Sequence, residues 1–179
     1  MTHGYAAAGI ACGMLLALSV QVARAEDLPT RKPGLWEMKM GMAGSPTPQM
    51  TMQHCTDETT DKLLNDQVSP LAKQACAKQD LKKTATGYIS DSVCAVGGAS
   101  ITSHAEIVGD FSSAYTVHST SHSDKGPGGK PLDTTTTIEA KWLGACKPDQ
   151  KPGDIVMPGG MKMNIRDMEK LKALIPGVK

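Results

Sequence analysis

Four methionines and a histidine lie close together near the start of the sequence, in a pattern that could bind a soft metal ion. Met38 and Met40, then Met50 and Met52, alternate with other residues, and His54 follows at the same spacing. Thioether sulfur is a ligand type that selects Cu(I). Methionine is also an adaptable filler of protein cores. We favour core packing for these side chains and keep copper binding as the alternative.

A second group of polar residues lies further along the chain, in the stretch "HSTSHSD" at 118–124. His118 and His122 would share one face of a strand, and His104 would lie on the preceding strand. Zinc needs several such nitrogens at about 2.0–2.1 Å. Serine, histidine and aspartate also form hydrolase triads, but the fold assembles these rather than proximity in sequence. We expect a solvated sheet face here, and we predict that the protein is not an enzyme and has no metal site or cofactor.

The elements that carry these residues are mostly β-strands. "LWEMKMGM" alternates with period two, "AGSPTP" interrupts it, and "QMTMQHC" resumes it, which predicts a hairpin with the methionines on one face. From residue 80 onward, segments rich in Thr, Val, Ile and Tyr alternate with short turns. The expected fold is mainly β: an antiparallel meander forming a small sandwich or open barrel.

Two or three short helices should accompany the strands. Thr56 or Asp57 is a suitable N-cap for a helix that ends at about Asn65. Ser69-Pro70 could begin a second helix, because proline is favoured at the first helical position. In the tail, Asn164 could cap a third helix with an apolar stripe at helical spacing.

The N-terminal residues resemble a secretory signal. Residues 10–22 are apolar, and Ala23 and Ala25 occupy the small-residue positions of a cleavage site. The apolar run is shorter than the roughly 20 residues that a membrane-spanning helix needs. We therefore predict a cleaved signal peptide at residues 1–25 and a periplasmic or secreted protein, with no transmembrane segment after cleavage.

The remaining residues, 26–179, have the length of a single domain. We divide this β-rich domain into a core at 31–146 and a tail with a short helix at 147–179. Without Arg24, its 18 basic residues (19 minus 1) equal its 18 acidic residues. A net charge of zero gives no reason to expect nucleic acid as a partner.

Four cysteines follow the predicted signal peptide: Cys55, Cys76, Cys94 and Cys146. An even number in an exported chain indicates two disulfides, for which three pairings exist. A hairpin that turns near Thr86-Gly87 would bring Cys94 back close to Cys76. We therefore predict the disulfides Cys76–Cys94 and Cys55–Cys146.

Three short motifs carry a resemblance to a known family: "KPGLWE" at the first strand, "QHCTDE" after the methionine-rich segment, and a closing "WLGAC". Over residues 31–146 the chain resembles a family of small exported bacterial proteins catalogued as a domain of unknown function. The resemblance implies export, a β-rich domain and paired cysteines, but no activity.

The sequence therefore predicts an exported, non-enzymatic binding or structural module of the bacterial cell envelope. Its partner would be an unknown envelope component or a small ligand. The alternative is a periplasmic Cu(I)-handling protein that uses the methionine-rich hairpin, with Met38, Met40, Met50, Met52 and His54 as ligands.

Overall fold

A computed structural model describes residues 28–45, 48–64 and 75–167. These residues form nine strands, a short helix at 58–64 and a 3₁₀ helix at Pro127–Gly129. The strands are β1 (Gly34–Met42), β2 (Met50–Thr56), β3 (Cys76–Lys83), β4 (Gly87–Val96), β5 (Ala99–Asp110), β6 (Ala114–Ser123), β7 (Leu132–Gly144), β8 (Asp154–Val156) and β9 (Lys162–Asn164). The predicted signal peptide, the helix predicted from Ser69-Pro70 and the tail beyond residue 167 lie outside the described residues.

All nine strands belong to one open antiparallel sheet with the order β3-β4-β5-β6-β7-β1-β2-β8-β9. Strands β3 to β7 are the predicted meander, and the hairpin β1–β2 pairs with β7. The mainly β fold class is therefore confirmed, as a single sheet rather than a two-layer sandwich. Within the described ranges, no helix is long and apolar enough to cross a membrane.

The predicted hairpin β1–β2 has a seven-residue loop between Met42 and Met50. Residues directly opposite each other in an antiparallel sheet point to the same face. Ile107, Val117 and Ile138 lie in one such row with Met40. We call this side the inner face, and we call the opposite side, which carries His104, His118 and His122, the outer face.

The best-buried part of the molecule is the start of β1 and the end of β2. Trp36 is 0% exposed on the inner face, where it lies opposite His54. Leu35 and Cys55, which point to the other side, are also buried. Both faces of the sheet are therefore covered at this end.

The helix at 58–64 begins after Asp57, which is one of the two N-caps that the sequence predicts, and its first turn forms a capping box. The amide of Thr60 donates to Asp57 Oδ1 over 2.7 Å, and the amide of Asp57 donates to Thr60 Oγ1 over 2.9 Å. These two reciprocal bonds satisfy amide groups that a helix start otherwise leaves unpaired.

The tail differs from its prediction, because it adds two strands to the sheet. Three-residue strand β8 pairs with β2, and β9 pairs with β8. After β9, Asn164 Oδ1 accepts a hydrogen bond from the amide of Arg166 over 3.0 Å, and residues 165–167 are helical. Asn164 thus makes a capping contact at the position that the sequence predicts, and the rest of the predicted tail helix lies outside the described residues.

Two disulfides link the sheet, with the pairs that the sequence predicts. Cys76–Cys94 joins β3 to β4, and Cys55–Cys146 joins β2 to the segment after β7. A register shift between Cys76 and Lys78 places Cys94 directly opposite Cys76.

Residues 111–113 form the turn between β5 and β6, and Gly109 and Asp110 still belong to β5. The carboxylate of Asp110 accepts hydrogen bonds from Ser112 and Ser113, which fixes the turn at this position. His104 consequently lies opposite Thr120, between His118 and His122.

Candidate functional site at the aromatic end of the sheet

One end of the sheet collects every aromatic ring of the sequence except Tyr5. These rings belong to Trp36, Tyr88, Phe111, Tyr115 and Trp142. Their positions explain the clustering, because each lies at or beside the start or end of its strand, and the antiparallel arrangement brings those strand ends together. We call this region the aromatic end.

Four of the rings form a continuous row at the aromatic end. Phe111 stacks on Tyr115 with a centroid distance of 4.7 Å. Tyr115 contacts Trp36 at 5.7 Å, and Tyr88 meets the edge of Phe111 at 6.1 Å. Aromatic pairs with centroids about 4.5–7 Å apart attract one another beyond their area burial. The row therefore connects the core at Trp36 to the surface at Tyr88.

A surface cleft of about 770 Å³ opens at the outer end of this row. Phe111, Tyr88 and Val108 supply apolar surface, and Lys32 and Lys83 supply positive charge. The loop 84–87 and the 109–112 segment complete the walls.

A glycine allows the loop before β4 to approach β5 closely. Gly87 has φ of +155°, and a Cβ atom at this position would lie 1.9 Å from the carbonyl oxygen of Ile107. Only glycine fits such a close approach. The wall of the cleft therefore depends on this residue.

Next to the cleft, a buried ion pair joins the segment before β1 to the helix. Arg31 Nη2 lies 2.7 Å from Asp61 Oδ1, and the side chains are 7% and 3% exposed. Arg31 also donates from Nε to Asp61 Oδ1 and from its amide to Asp61 Oδ2, over 2.7 and 2.8 Å. The guanidinium lies over the ring of Trp36, 5.9 Å from its centroid. The helix is thereby fixed to the aromatic end.

His54 lies beside this ion pair and is 8% exposed. Burial and the positive charge of Arg31 lower the pKa of His54 to about 4, while the charge of Asp61 acts in the opposite direction. The imidazole is therefore neutral at pH 7. Its Nε2 atom is buried and has no hydrogen-bond partner within residues 28–45, 48–64 and 75–167.

The predicted methionine cluster is only partly assembled. Met38 faces Met52 and Met40 faces Met50 across the hairpin, as the alternation predicts. His54 lies four residues from Met50, which is about 13 Å along a strand. The five proposed copper ligands therefore do not surround one point, and Met40 with Met50 is the most accessible pair.

The core role that we favoured for the methionines also needs correction. Met38, Met40 and Met52 are only half-buried, and Met50 is 39% exposed. Arg31 Nη1 lies 3.7 Å from the sulfur of Met38, which places a positive charge next to one thioether. The methionines cover the inner face beside the core rather than filling its centre.

The three histidines of the outer face are exposed and bond to separate partners. His104 Nδ1 lies 2.7 Å from Asp91 Oδ1, and His122 Nδ1 lies 2.6 Å from Asp133 Oδ1. His118 Nδ1 lies 3.2 Å from Thr137 Oγ1. In the described part of the chain, no three His, Cys, Asp or Glu residues are placed to hold a metal ion.

The serines of "HSTSHSD" do not join these histidines in a catalytic arrangement on β6. Ser119 and Ser121 alternate with His118 and His122, so they point to the inner face. Ser121 instead shares a 2.8 Å hydrogen bond with Ser103.

Sequence reasoning missed the two features that distinguish the aromatic end. The ring row was detectable in principle, because Tyr88 and Phe111 flank predicted turns whose strands are neighbours. The pair formed by Arg31 and Asp61 carried no signal, because the residues are 30 positions apart and belong to different kinds of element.

The fold and this site define a disulfide-linked, single-sheet β protein with a cleft at its aromatic end. The chain belongs to the family described as "Protein of unknown function (DUF3617)", whose sequence pattern matches residues 31–146. Neither the curated proteins nor the solved structures with which the sequence was compared match it.

Proposed function

We propose that the protein is a non-enzymatic binding module of the bacterial cell envelope, periplasmic or secreted, that binds a small amphipathic anion in the cleft at the aromatic end. The observation that carries the proposal is a cleft at the outer end of the aromatic row, where Tyr88 and Phe111 line its wall.

The size and lining of the cleft support a small-molecule ligand. Ligand pockets typically measure about 300–1,000 Å³ and combine apolar walls with a few polar groups. Val108 is 46% exposed in the cleft, so part of its apolar wall is open to a ligand. An acyl chain or a flat ring of comparable size would cover this surface together with Phe111 and Tyr88.

The charges around the cleft favour an anion. Lys32 and Lys83 contribute two positive charges, and Asp110 contributes one negative charge. Both oxygens of Asp110 accept hydrogen bonds from the following serines, which hold the pKa of this carboxyl at about 2. The carboxylate is thus engaged by its own turn. Lys32 Nζ lies 3.6 Å from the centroid of the Trp142 ring. With two lysines against one aspartate, the sum of the charges that line the cleft is positive, which would attract an anionic ligand.

The covalent structure and the sequence support the proposed compartment. Disulfides persist mainly in oxidising compartments, and the chain has two of them. The signal peptide that we predict at residues 1–25 would direct the chain to such a compartment.

Calorimetric titration with dodecanoate and with dodecyltrimethylammonium tests the ligand class. We expect saturable binding of the anion and at least tenfold weaker binding of the cation. Val108→Glu should reduce dodecanoate binding at least tenfold, because it adds a negative charge to the cleft wall. Val96→Glu is the matched control, since Val96 is 54% exposed and does not line the cleft. Equal affinity for both amphiphiles, or an equal loss in both variants, would contradict the proposal.

A second candidate function is Cu(I) handling, and it rests on the register that places Met40 opposite Met50. Side chains directly opposite lie within about 4.5–5.5 Å at Cβ, which suits chelation of a soft ion by two thioethers. Competition with a chromogenic Cu(I) chelator tests it: Met40→Leu with Met50→Leu should abolish retention, and Met161→Leu, at a 60% exposed position, should not. Retention that survives the double substitution would remove this candidate.

A further inference from the structure

A buried nitrogen beside the helix has no hydrogen-bond partner among the residues that the structure describes. This atom is Nε2 of His54, whose side chain is more than nine-tenths buried. Buried polar atoms in folded proteins almost always have a partner, either a protein group or an ordered water. The imidazole therefore points to a bound molecule at this position.

A small pocket adjoins the ring of His54. It encloses about 10 Å³ that a water-sized sphere can fill. Its lining includes His54 on β2, Thr60 in the first turn of the helix, and residues 153–155 at β8, together with Arg31 and Ile165. A cavity needs roughly 10–15 Å³ by this measure to hold one water molecule. The volume thus limits the occupant to a single small molecule.

We propose that this pocket binds one structural water molecule, which hydrogen-bonds to His54 Nε2 and bridges β2 to the start of the helix and to β8. The site lies apart from the cleft and does not depend on its function.

The chemistry of the imidazole fits water in either tautomer. A neutral histidine has one nitrogen that donates and one that accepts. Water can both donate and accept, so it satisfies Nε2 whichever nitrogen carries the proton. A water molecule also needs two to four polar partners, and Thr60 and Asp154 line the same pocket.

Asp154 retains capacity for such a bond. Its Oδ1 accepts from Asn164 Nδ2 over 2.7 Å, and its Oδ2 accepts from the amide of Lys151 over 2.9 Å. An ionised carboxylate has about four acceptor positions. Two of these are used within the described residues, which leaves acceptor positions for water.

A metal cation fits this pocket poorly, because Arg31 also lines it. The guanidinium charge disfavours a second positive charge at the imidazole, in agreement with the lowered pKa of His54. His54 therefore belongs to a water site, which is distinct from the pair of methionines considered for copper binding.

NMR on the full chain with labelled histidine tests the site. We expect laboratory-frame and rotating-frame cross-peaks of opposite sign between the ring protons of His54 and water, which is the pattern of a slowly exchanging molecule. Oxygen-17 relaxation dispersion should count one more long-lived water in the wild type than in His54→Phe, whereas His118→Phe, on the outer face, should leave the count unchanged. Titration with Ag⁺, a redox-stable stand-in for Cu(I), should not shift the His54 Nε2 resonance.

Three results would overturn the inference: no long-lived water at the ring, an Nε2 atom bonded to a protein group, or an Nε2 shift at stoichiometric Ag⁺. If His54→Phe does not fold, the cross-peaks and the Ag⁺ titration of the wild type still decide between these outcomes, since neither needs the variant.

Discussion

The buried pair Arg31–Asp61 and the exposed pair His104–Asp91 have the same shortest N–O separation in opposite surroundings. Their N–O separations are both 2.7 Å. The first pair is 7% and 3% exposed, whereas the second is 47% and 41% exposed. The N–O distance therefore does not distinguish the two pairs. Their different contributions to stability come from their different access to water.

Burial changes what each contact contributes. Exposed ion pairs are screened by solvent and contribute little to stability. Breaking a buried pair leaves an uncompensated charge in a low-dielectric interior, which is strongly destabilising. Histidine shows the same contrast: burial lowers the pKa of His54, and the hydrogen bond with Asp91 raises the pKa of His104.

Removing the buried carboxylate should have the largest effect. Asp61→Ala leaves the charge of Arg31 without a partner, and we expect a loss of about 3–5 kcal/mol in the free energy of unfolding. Urea denaturation at pH 7 measures it. Asp133→Ala is the matched control, because Asp133 pairs with His122 at the surface, and its midpoint should not move. Equal losses in both variants would show that burial does not separate the two regions.

The second prediction concerns pH. An unfolded histidine binds its proton near pH 6.5, but folded His54 does so only near pH 4. Between these values the unfolded chain binds more protons, so stability falls as the pH is lowered through this window. A pKa difference of this size corresponds to a change on the order of 3 kcal/mol in the free energy of unfolding.

The measurement is urea denaturation at several pH values between 4 and 7, with His54→Leu and the exposed-site control His118→Ala. The leucine variant should lose most of the slope in this window, and the alanine variant should keep it. A slope that persists in His54→Leu would assign the acid sensitivity to other groups.

The parts of the fold that were predictable are those with local signals. Strict alternation around Met38 and Met52 identified the first hairpin and its facing side chains. The turn predicted after β3 correctly placed Cys94 close to Cys76. Asp57 was correctly predicted as an N-cap at the start of the helix. In each case a few neighbouring residues determine the local conformation.

The features of the fold that the sequence did not predict depend on contacts between distant segments. Strands β8 and β9 are three residues long and too short for a periodic pattern, so only their pairing with β2 defines them. The buried pair of Arg31 and Asp61 likewise exists only after the helix has packed on the aromatic end. Burial, which decides the chemistry of His54, is a property of the assembled sheet.

The smallest effect on stability is expected for the exposed pair of His104 and Asp91. Because Asp91 raises its pKa, any stabilisation from this pair is present at acidic pH and is lost as the pH rises through the folded pKa. Asp91→Asn should lower the pKa of His104 towards its ordinary value in an NMR titration, without a measurable change in the unfolding midpoint at pH 7.

Salt at 1 M should produce part of the same pKa shift of His104 in the wild type, because the Debye length is then about 3 Å. His54 should be insensitive to salt, since its pKa is set mainly by burial. A His104 pKa that resists both changes would mean that the outer face is shielded from solvent like the aromatic end.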